Sequence, residues 1–347
     1  MIPIQNVYYM LSYAFQVLSE QGYKDIATER FDNTAELCAA ILTKGISFLL
    51  KHGLGKEYIP QEEALSSLRG KIEISDSIKG RTMLKKQLIC SYDDFSVNSY
   101  MNRIIKSTME LLLHADISKA RKKELRKLMV YFKETDLLDV HTINWSIQYN
   151  RNNQTYRMLI SICWLLIKGL LQTSSDGSTR LMDFLDEQRM CRLYEKFILE
   201  YYKKEFPMLG VNASQIPWVL DDGMSMMLPT MQSDITLSYG NEVLIIDAKY
   251  YSHTTQVQYD VHTLHSGNLY QIFTYVKNKD SEFGDKPHKV SGMLLYAKTD
   301  EAIQPDNTYQ MSGNKISVKT LDLNLKPAEI AAQLNAIVKE HFEFGVA

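Results

Sequence analysis

The residues of this chain best suited to chemistry gather in one stretch, Met231–Tyr251, where Asp234, Asp247 and Lys249 flank a hydrophobic run. Segments 233–238 and 242–249 are rich in Ile, Leu, Val and Thr. Between them lies Gly240-Asn241, a dipeptide that favours a two-residue primed turn joining antiparallel strands. A turn centred between residues 240 and 241 places Asp234 opposite Asp247. Opposed residues carry their Cβ atoms roughly 5 Å apart on one face of a sheet, so two carboxylates there repel unless positive charge sits between them. A divalent cation supplies that charge. Lys249, two residues beyond Asp247, projects to the same side, while Ala248 points away. Mg²⁺ takes one or two carboxylates with phosphate oxygens and water, and a neighbouring lysine can orient the attacking water or meet charge on the phosphorus centre. The chemistry is phosphodiester hydrolysis. An ordinary hairpin with a cross-strand Asp/Lys ion pair at its mouth has the same spacing, and spacing alone does not separate the two.

Several elements must hold these residues. Before the hairpin, Asp186–Phe206 has helical periodicity with Met190, Leu193, Tyr194, Phe197, Ile198, Tyr201 and Tyr202 on one stripe and Glu195 beside it. After it, Asn268–Lys277 is expected to be a helix with Gln271 and Tyr275 one turn apart. His262 and His265 lack partners of metal-binding spacing and read as loop histidines. Val290–Ala297 reads as a strand, and Pro327–Phe342 as a closing helix with proline in its first turn. Earlier in the chain, Val7–Leu18 and Thr34–Leu50 read as core helices, and Tyr58–Cys90 as β-structure with projecting loops and few large apolar clusters. Asn98–His114, the basic Lys119–Lys133 and the nearly uncharged Arg157–Leu171 follow as helices, the last expected to be buried between domains. The basic helix suits a solvated surface, DNA phosphates or an acidic partner face. The polar segment 172–178 suggests a domain boundary, giving 1–165 and 166–347. The expected class is α+β: a helical plus β domain with projecting loops, then a mixed sheet flanked by helices.

A length of 347 residues suits about two domains. No run approaches the ~20 apolar residues that cross a bilayer, and the opening MIPIQNVYYMLSYAF lacks the features of a signal peptide, so a cytoplasmic protein without a membrane partner is expected. Cys38, Cys90, Cys163 and Cys191 are scattered, which reads as buried free thiols. A net charge of −2 argues against DNA binding by charge alone and fits a subunit that engages DNA with a partner's help. There is no phosphate-binding G-x-x-x-x-G-K-[ST], G-x-S-x-G, H-E-x-x-H or dinucleotide fingerprint, so nucleotide hydrolysis, ester hydrolysis and hydride transfer have no foothold.

Asp234, the hairpin, then Asp247-Ala248-Lys249 resembles the PD-(D/E)xK nuclease site. The whole chain resembles the McrC family, the nuclease subunits of modified-cytosine restriction systems. The resemblance is carried by Ile4-Gln5-Asn6-Val7-Tyr8-Tyr9-Met10-Leu11, Arg69-Gly70-Lys71-Ile72, Asn102–Thr108, Asp247–Tyr251 and Asn268-Leu269-Tyr270-Gln271. One departure is Ser233 where the motif's proline would precede Asp234. The resemblance implies Asp234 and Asp247 as ligands of Mg²⁺, the Ala248 carbonyl as a third, and Lys249 acting on water. It implies support from Glu195 and from Gln271, part of a Gln-x-x-x-Tyr element. It further implies an N-terminal half that docks into the pore of a hexameric McrB-like AAA+ GTPase and stimulates it. Residues 58–90 would be the inserted part, and Arg69, Lys71 and Arg81 the stimulating contacts. GTP would be bound by that partner and not by this chain, the substrate would be methylated double-stranded DNA, and two nuclease centres would meet to cut both strands. A different class of reading keeps the chain as a non-catalytic adaptor that regulates an AAA+ partner.

Overall fold

The computed structural model describes residues 2–15, 18, 31, 33–149, 153–175, 187–251, 254–258 and 261–342. The chain forms two compact units, Thr28–Phe184 and a second made of Met1–Ala27 with Leu185–Ala347. This differs from a division at 165/166 in two ways. The first helix, α1 (Ile4–Ala14), belongs with the C-terminal unit, because the Asn6 amide donates to the carbonyls of Leu323 (2.7 Å) and Leu325 (2.8 Å) and Tyr13 donates to Glu205 (2.9 Å). Residue 165 also falls inside a continuous helix, described below.

In the helical unit, α2 (Thr34–His52) is capped by Asn33, whose side chain accepts from the Glu36 amide at 2.8 Å, and it ends at Gly53 with φ +87. A three-stranded antiparallel sheet follows, β1 (Glu57–Leu65), β2 (Lys71–Ile72) and, after the short helix α3 (Ile74–Lys79), β3 (Leu88–Ser96), in the order β1-β3-β2. Then come α4 (Tyr100–His114), α5 (Lys119–Met129) and α6 (Gln154–Ser175). Helix α6 packs against α2 and α4 within its own unit, and its buried residues Leu159, Ile162, Leu166 and Ile167 contribute to that core. The segment 172–178 is helical as far as Ser175, and its remainder, like Asp186, lies outside the described residues. Asn102 ties the sheet's base to the helices. It donates to the carbonyls of Gly55 (2.9 Å) and Val97 (2.8 Å) and accepts from Tyr156 (2.7 Å), whose oxygen accepts from the Gly55 amide (2.8 Å).

In the other unit, α7 (Glu187–Glu205) buries Phe197 and Tyr201 against Tyr9 and Tyr13 of α1. The chain then forms β4 (Gly210–Asn212), β5 (Gln215–Ile216), β6 (Met231–Gln232), β7 (Ile235–Tyr239), β8 (Glu242–Lys249), β9 (Thr255–Gln258) and β10 (Val261–Leu264). Helix α8 (Ser266–Ser281), β11 (Lys289–Ala297), β12 (Asn307–Met311), β13 (Asn314–Leu321) and α9 (Pro327–His341) close it. The principal sheet has the order β12-β13-β11-β8-β7-β4, with β8, β11 and β13 parallel and the other pairs antiparallel. It is the mixed sheet expected, and the whole is α+β. Helix α8 crosses over between β8 and β11 and packs on the face bearing Val243, Ile245, Leu294 and Val318. Its approach is close: a Cβ at Gly292 would come within 2.7 Å of Val276. Tyr201 and Tyr202 of α7 hold α9 through Asn335 (2.8 Å) and the Leu334 carbonyl (3.1 Å). His262 lies on β10 and not in a loop, and His265 immediately precedes α8. No helix among the described residues is long and apolar enough to cross a membrane.

Candidate metal centre

The hairpin forms as its residues dictate. Gly240 takes φ +56, Tyr239 pairs with Glu242, and the register runs to Ile235 opposite Ile246. Carried one residue further, it sets Asp234, which immediately precedes β7, opposite Asp247. The Asp234 Oδ2 accepts from the Ala248 amide at 2.9 Å, which fixes that carboxylate against the strand bearing Asp247. Ser233 occupies the place of the motif's proline because its amide donates to the Ser214 carbonyl at 3.0 Å, a bond proline cannot make.

Asp247 is only 1% exposed. The Lys249 ammonium stands 2.8 Å from its Oδ2, in ion-pair contact but off hydrogen-bond alignment, and neither carboxylate oxygen has a hydrogen-bond donor among the described residues. Burial alone would push the Lys249 pKa down, but Asp247 and then Asp234 outweigh it and hold the lysine above its ordinary range. Asp234 is raised to about 8 by burial first, then by the charges of Asp247 and Glu195, against the smaller pull of Lys249 and the Ala248 amide. Two buried acids share one lysine, so ionising Asp234 is costly in the folded chain, and a cation between the two carboxylates would offset that cost.

That arrangement fits a hard divalent cation. Among the described residues no group of three His, Cys, Asp or Glu side chains converges on one point, so an all-protein cage of the zinc type is not formed. Two carboxylates suit a cation such as Mg²⁺, which takes one or two carboxylates, keeps several waters and shares its shell with phosphate.

The supporting residues follow. Lys249 donates to Gln271 Oε1 at 3.4 Å, and the Gln271 amide donates to the Tyr275 hydroxyl at 3.0 Å, one turn along α8. Sequence reasoning assigned no role to Asn268, although it shares that face of α8. Its side chain accepts from Tyr251 at 3.4 Å and donates to Tyr296 at 2.9 Å, joining the strand end beyond Lys249 to β11. Its spacing of three from Gln271 and seven from Tyr275 was the available signal. Glu195 borders, with Arg192, Leu199, Ala213, Gln232, Ser233 and Asp234, a cleft of about 360 Å³. It is close enough to raise Asp234, and it accepts a bond from Cys191 Sγ at 3.0 Å. Burial first, then Glu195, pushes the Cys191 thiol up to about 12, so it stays protonated as that donor. Cys191 is half-buried, unlike the other three cysteines.

Arg69, Lys71 and Arg81 belong to the helical unit. Arg69 pairs with Asp94 at 3.1 Å and lies over the Tyr92 ring at 4.1 Å, Lys71 pairs with Glu73 at 2.7 Å, and Arg81 is exposed with φ +53. Gly70 takes φ +69 between the first two, where a Cβ would collide with the Ser91 carbonyl. Exposed apolar side chains occur in the same region: Tyr58 and Phe95 pair at one end of the β1–β3 ladder, and Leu68, Ile74, Ile78, Met83 and Leu84 (83% exposed) belong to the segments that connect its strands.

The profile of the McrBC 5-methylcytosine restriction system component family matches residues 5–297. Among curated proteins, a type IV methyl-directed restriction enzyme, EcoKMcrBC of Escherichia coli K12, is 28% identical over 350 residues, covering 99% of each chain. Among solved structures, the chain is similar to one in a half-complex of Thermococcus gammatolerans McrB AAA+ hexamers with bound McrC (TM-score 0.47, 16% identity, 96% of this chain and 76% of that one). A chain of the Thermococcus gammatolerans McrBC complex also matches, at a TM-score of 0.39 and 17% identity over 58% of each.

Proposed function

This chain belongs to the McrBC 5-methylcytosine restriction system component family, and on that premise we propose that it is the Mg²⁺-dependent DNA endonuclease subunit of a GTP-dependent, modified-cytosine (type IV) restriction system. The observation that carries the reading is the buried pairing of Asp234 with Asp247 beside Lys249. Asp234 and Asp247 would hold Mg²⁺, with the Ala248 carbonyl as a further ligand. When bound, the cation polarises the phosphodiester and lowers the pKa of a water. Lys249 then orients the attacking water or meets the charge that develops on the phosphate oxygens. Gln271, itself held by Tyr275, keeps the lysine in place, and Glu195 holds negative charge on the other side of Asp234.

The name of the curated relative, a methyl-directed restriction enzyme of McrBC type, points to an McrB-like partner and to methylated DNA; in this reading that partner is a hexameric AAA+ GTPase that brings methylated double-stranded DNA. The exposed apolar residues from Tyr58 to Phe95 supply a surface for it, and the surface ion pairs of Arg69 and Lys71 are weak enough to exchange for partner contacts. Arg81 completes the candidate set for stimulating that partner.

The test is cleavage of methylated plasmid by the full chain with its AAA+ partner and GTP, with and without Mg²⁺. Cutting that requires Mg²⁺ and methylation supports the reading. Absence of cutting under all metals, with the partner's GTPase still stimulated, would leave the chain as a regulatory adaptor.

A further inference from the structure

Helix α5 and the turn after it carry seven basic residues, Lys119, Arg121, Lys122, Lys123, Arg126, Lys127 and Lys133, against the acids Glu124 and Glu134, in a chain whose net charge is −2. The helix is anchored by the buried Leu125 and, about two turns beyond, by Phe132. Helical spacing then directs Lys119, Lys123, Arg126 and Lys127 outward, and all four are exposed. Two nearby carboxylates, the largely covered Glu36 and the exposed Glu124, are engaged by Ser118 and Arg121. Glu36 takes the Ser118 amide and hydroxyl, each at 2.8 Å, and the Arg121 Nε at 3.6 Å, while Glu124 takes the Arg121 Nη1 at 2.8 Å. Among the described residues the four outward cations form no ion pair.

This arrangement is unfavourable for the chain alone. Lys119 and Arg121 lie in the first turn, where the helix dipole disfavours positive charge. Lys119 and Lys123, and again Lys123 and Lys127, are like charges four apart. Anions placed opposite would relieve that repulsion. Four residues of helix advance about 6 Å, whereas duplex DNA presents one charge per ~1.7 Å of its axis, so its charge is dense enough for every cation of the stripe to meet a phosphate. Tyr131, 64% exposed at the end of the stripe, adds a hydroxyl donor.

We propose that the outward face of α5 is a DNA-backbone contact that holds duplex DNA by phosphate neutralisation, without reading sequence. The proposal rests on the reading that this protein works on DNA, and it adds a grip in a unit other than the one that bears the metal centre.

The test uses the full chain carrying Lys119→Ala, Lys123→Ala, Arg126→Ala and Lys127→Ala together, since alanine preserves the helix. Binding to a labelled duplex is followed by anisotropy across a salt series, beside wild type. The quadruple variant should bind on the order of tenfold or more weakly at low salt, and the slope of log K against log salt should fall by about three. An unchanged slope and affinity in the folded quadruple variant would overturn the proposal while leaving the nuclease reading intact. Wild type that binds no duplex at low salt would overturn it too. Unaltered DNA binding with loss of the AAA+ partner's association would transfer the stripe to an acidic protein face.

Discussion

The β7–β8 hairpin and the β1–β3 sheet are both antiparallel pairings, but they direct their side chains in opposite ways. Strand β8 is buried over nearly its whole length and brings Asp247 into the interior, where the one lysine beside it only partly offsets the repulsion of Asp234. Strand β1 is largely exposed, and its neighbourhood presents Tyr58, Ile78 and Leu84 to solvent while its charged residues pair locally. A buried charge without enough countercharge calls for a small cation, whereas exposed apolar surface calls for a macromolecule. The two regions can therefore serve cutting and docking separately, and substitutions can test whether they do.

The largest effect is expected at Lys249. Lys249→Ala should slow DNA cleavage on the order of 10²–10³-fold, while GTP turnover by the partner, measured as phosphate release, stays at the wild-type level. A variant that cuts at wild-type speed would remove the lysine from the chemistry. The converse change is the pair Ile78→Asp and Leu84→Asp. Both residues are exposed, so thermal stability should shift by roughly 0.5 kcal/mol or less. Stimulation of the partner should weaken on the order of tenfold, and normal stimulation would show that this surface faces something else. Gln271→Ala, which leaves Lys249 without its amide acceptor, should cost roughly tenfold in single-turnover cutting.

A smaller and purely physical effect follows from Asp234. In the unfolded chain it ionises near its ordinary value of about 4, whereas in the folded chain it keeps its proton up to about 8. The folded state binds more protons in that window, so this residue makes stability fall as pH rises from about 4 towards 8 and leaves it level above. Mg²⁺ requires the ionised carboxylate, so Mg²⁺ should raise the melting temperature more at about pH 8.5 than at about pH 6.5. Equal increments at both values would detach the cation from Asp234.

The hairpin that brings Asp234 beside Asp247 was legible because its determinants are local. Gly240-Asn241 sets the turn, alternation sets the face, and Gln271 and Tyr275 lie one turn apart on α8. Side chains whose partners are distant in sequence were not legible in this way. The Asn6 amide reaches carbonyls 317 and 319 residues away, which moves α1 into the C-terminal unit, and no local periodicity encodes that. The roles of Asn102 and Asn268 are equally non-local, each joining segments that only the fold brings together. The exposure of Ile78 and Leu84 was not legible because single apolar residues set among charged ones carry no periodicity that distinguishes surface from core.

The most direct measurement of the division of labour is Asp247→Asn in a single reaction with the AAA+ partner, methylated plasmid, Mg²⁺ and GTP, following DNA cleavage and phosphate release together. Cleavage should fall to background while phosphate release and complex formation persist. Retained cleavage would place the nuclease centre elsewhere, and loss of both activities from a folded Asp247→Asn chain would contradict separate cutting and docking regions.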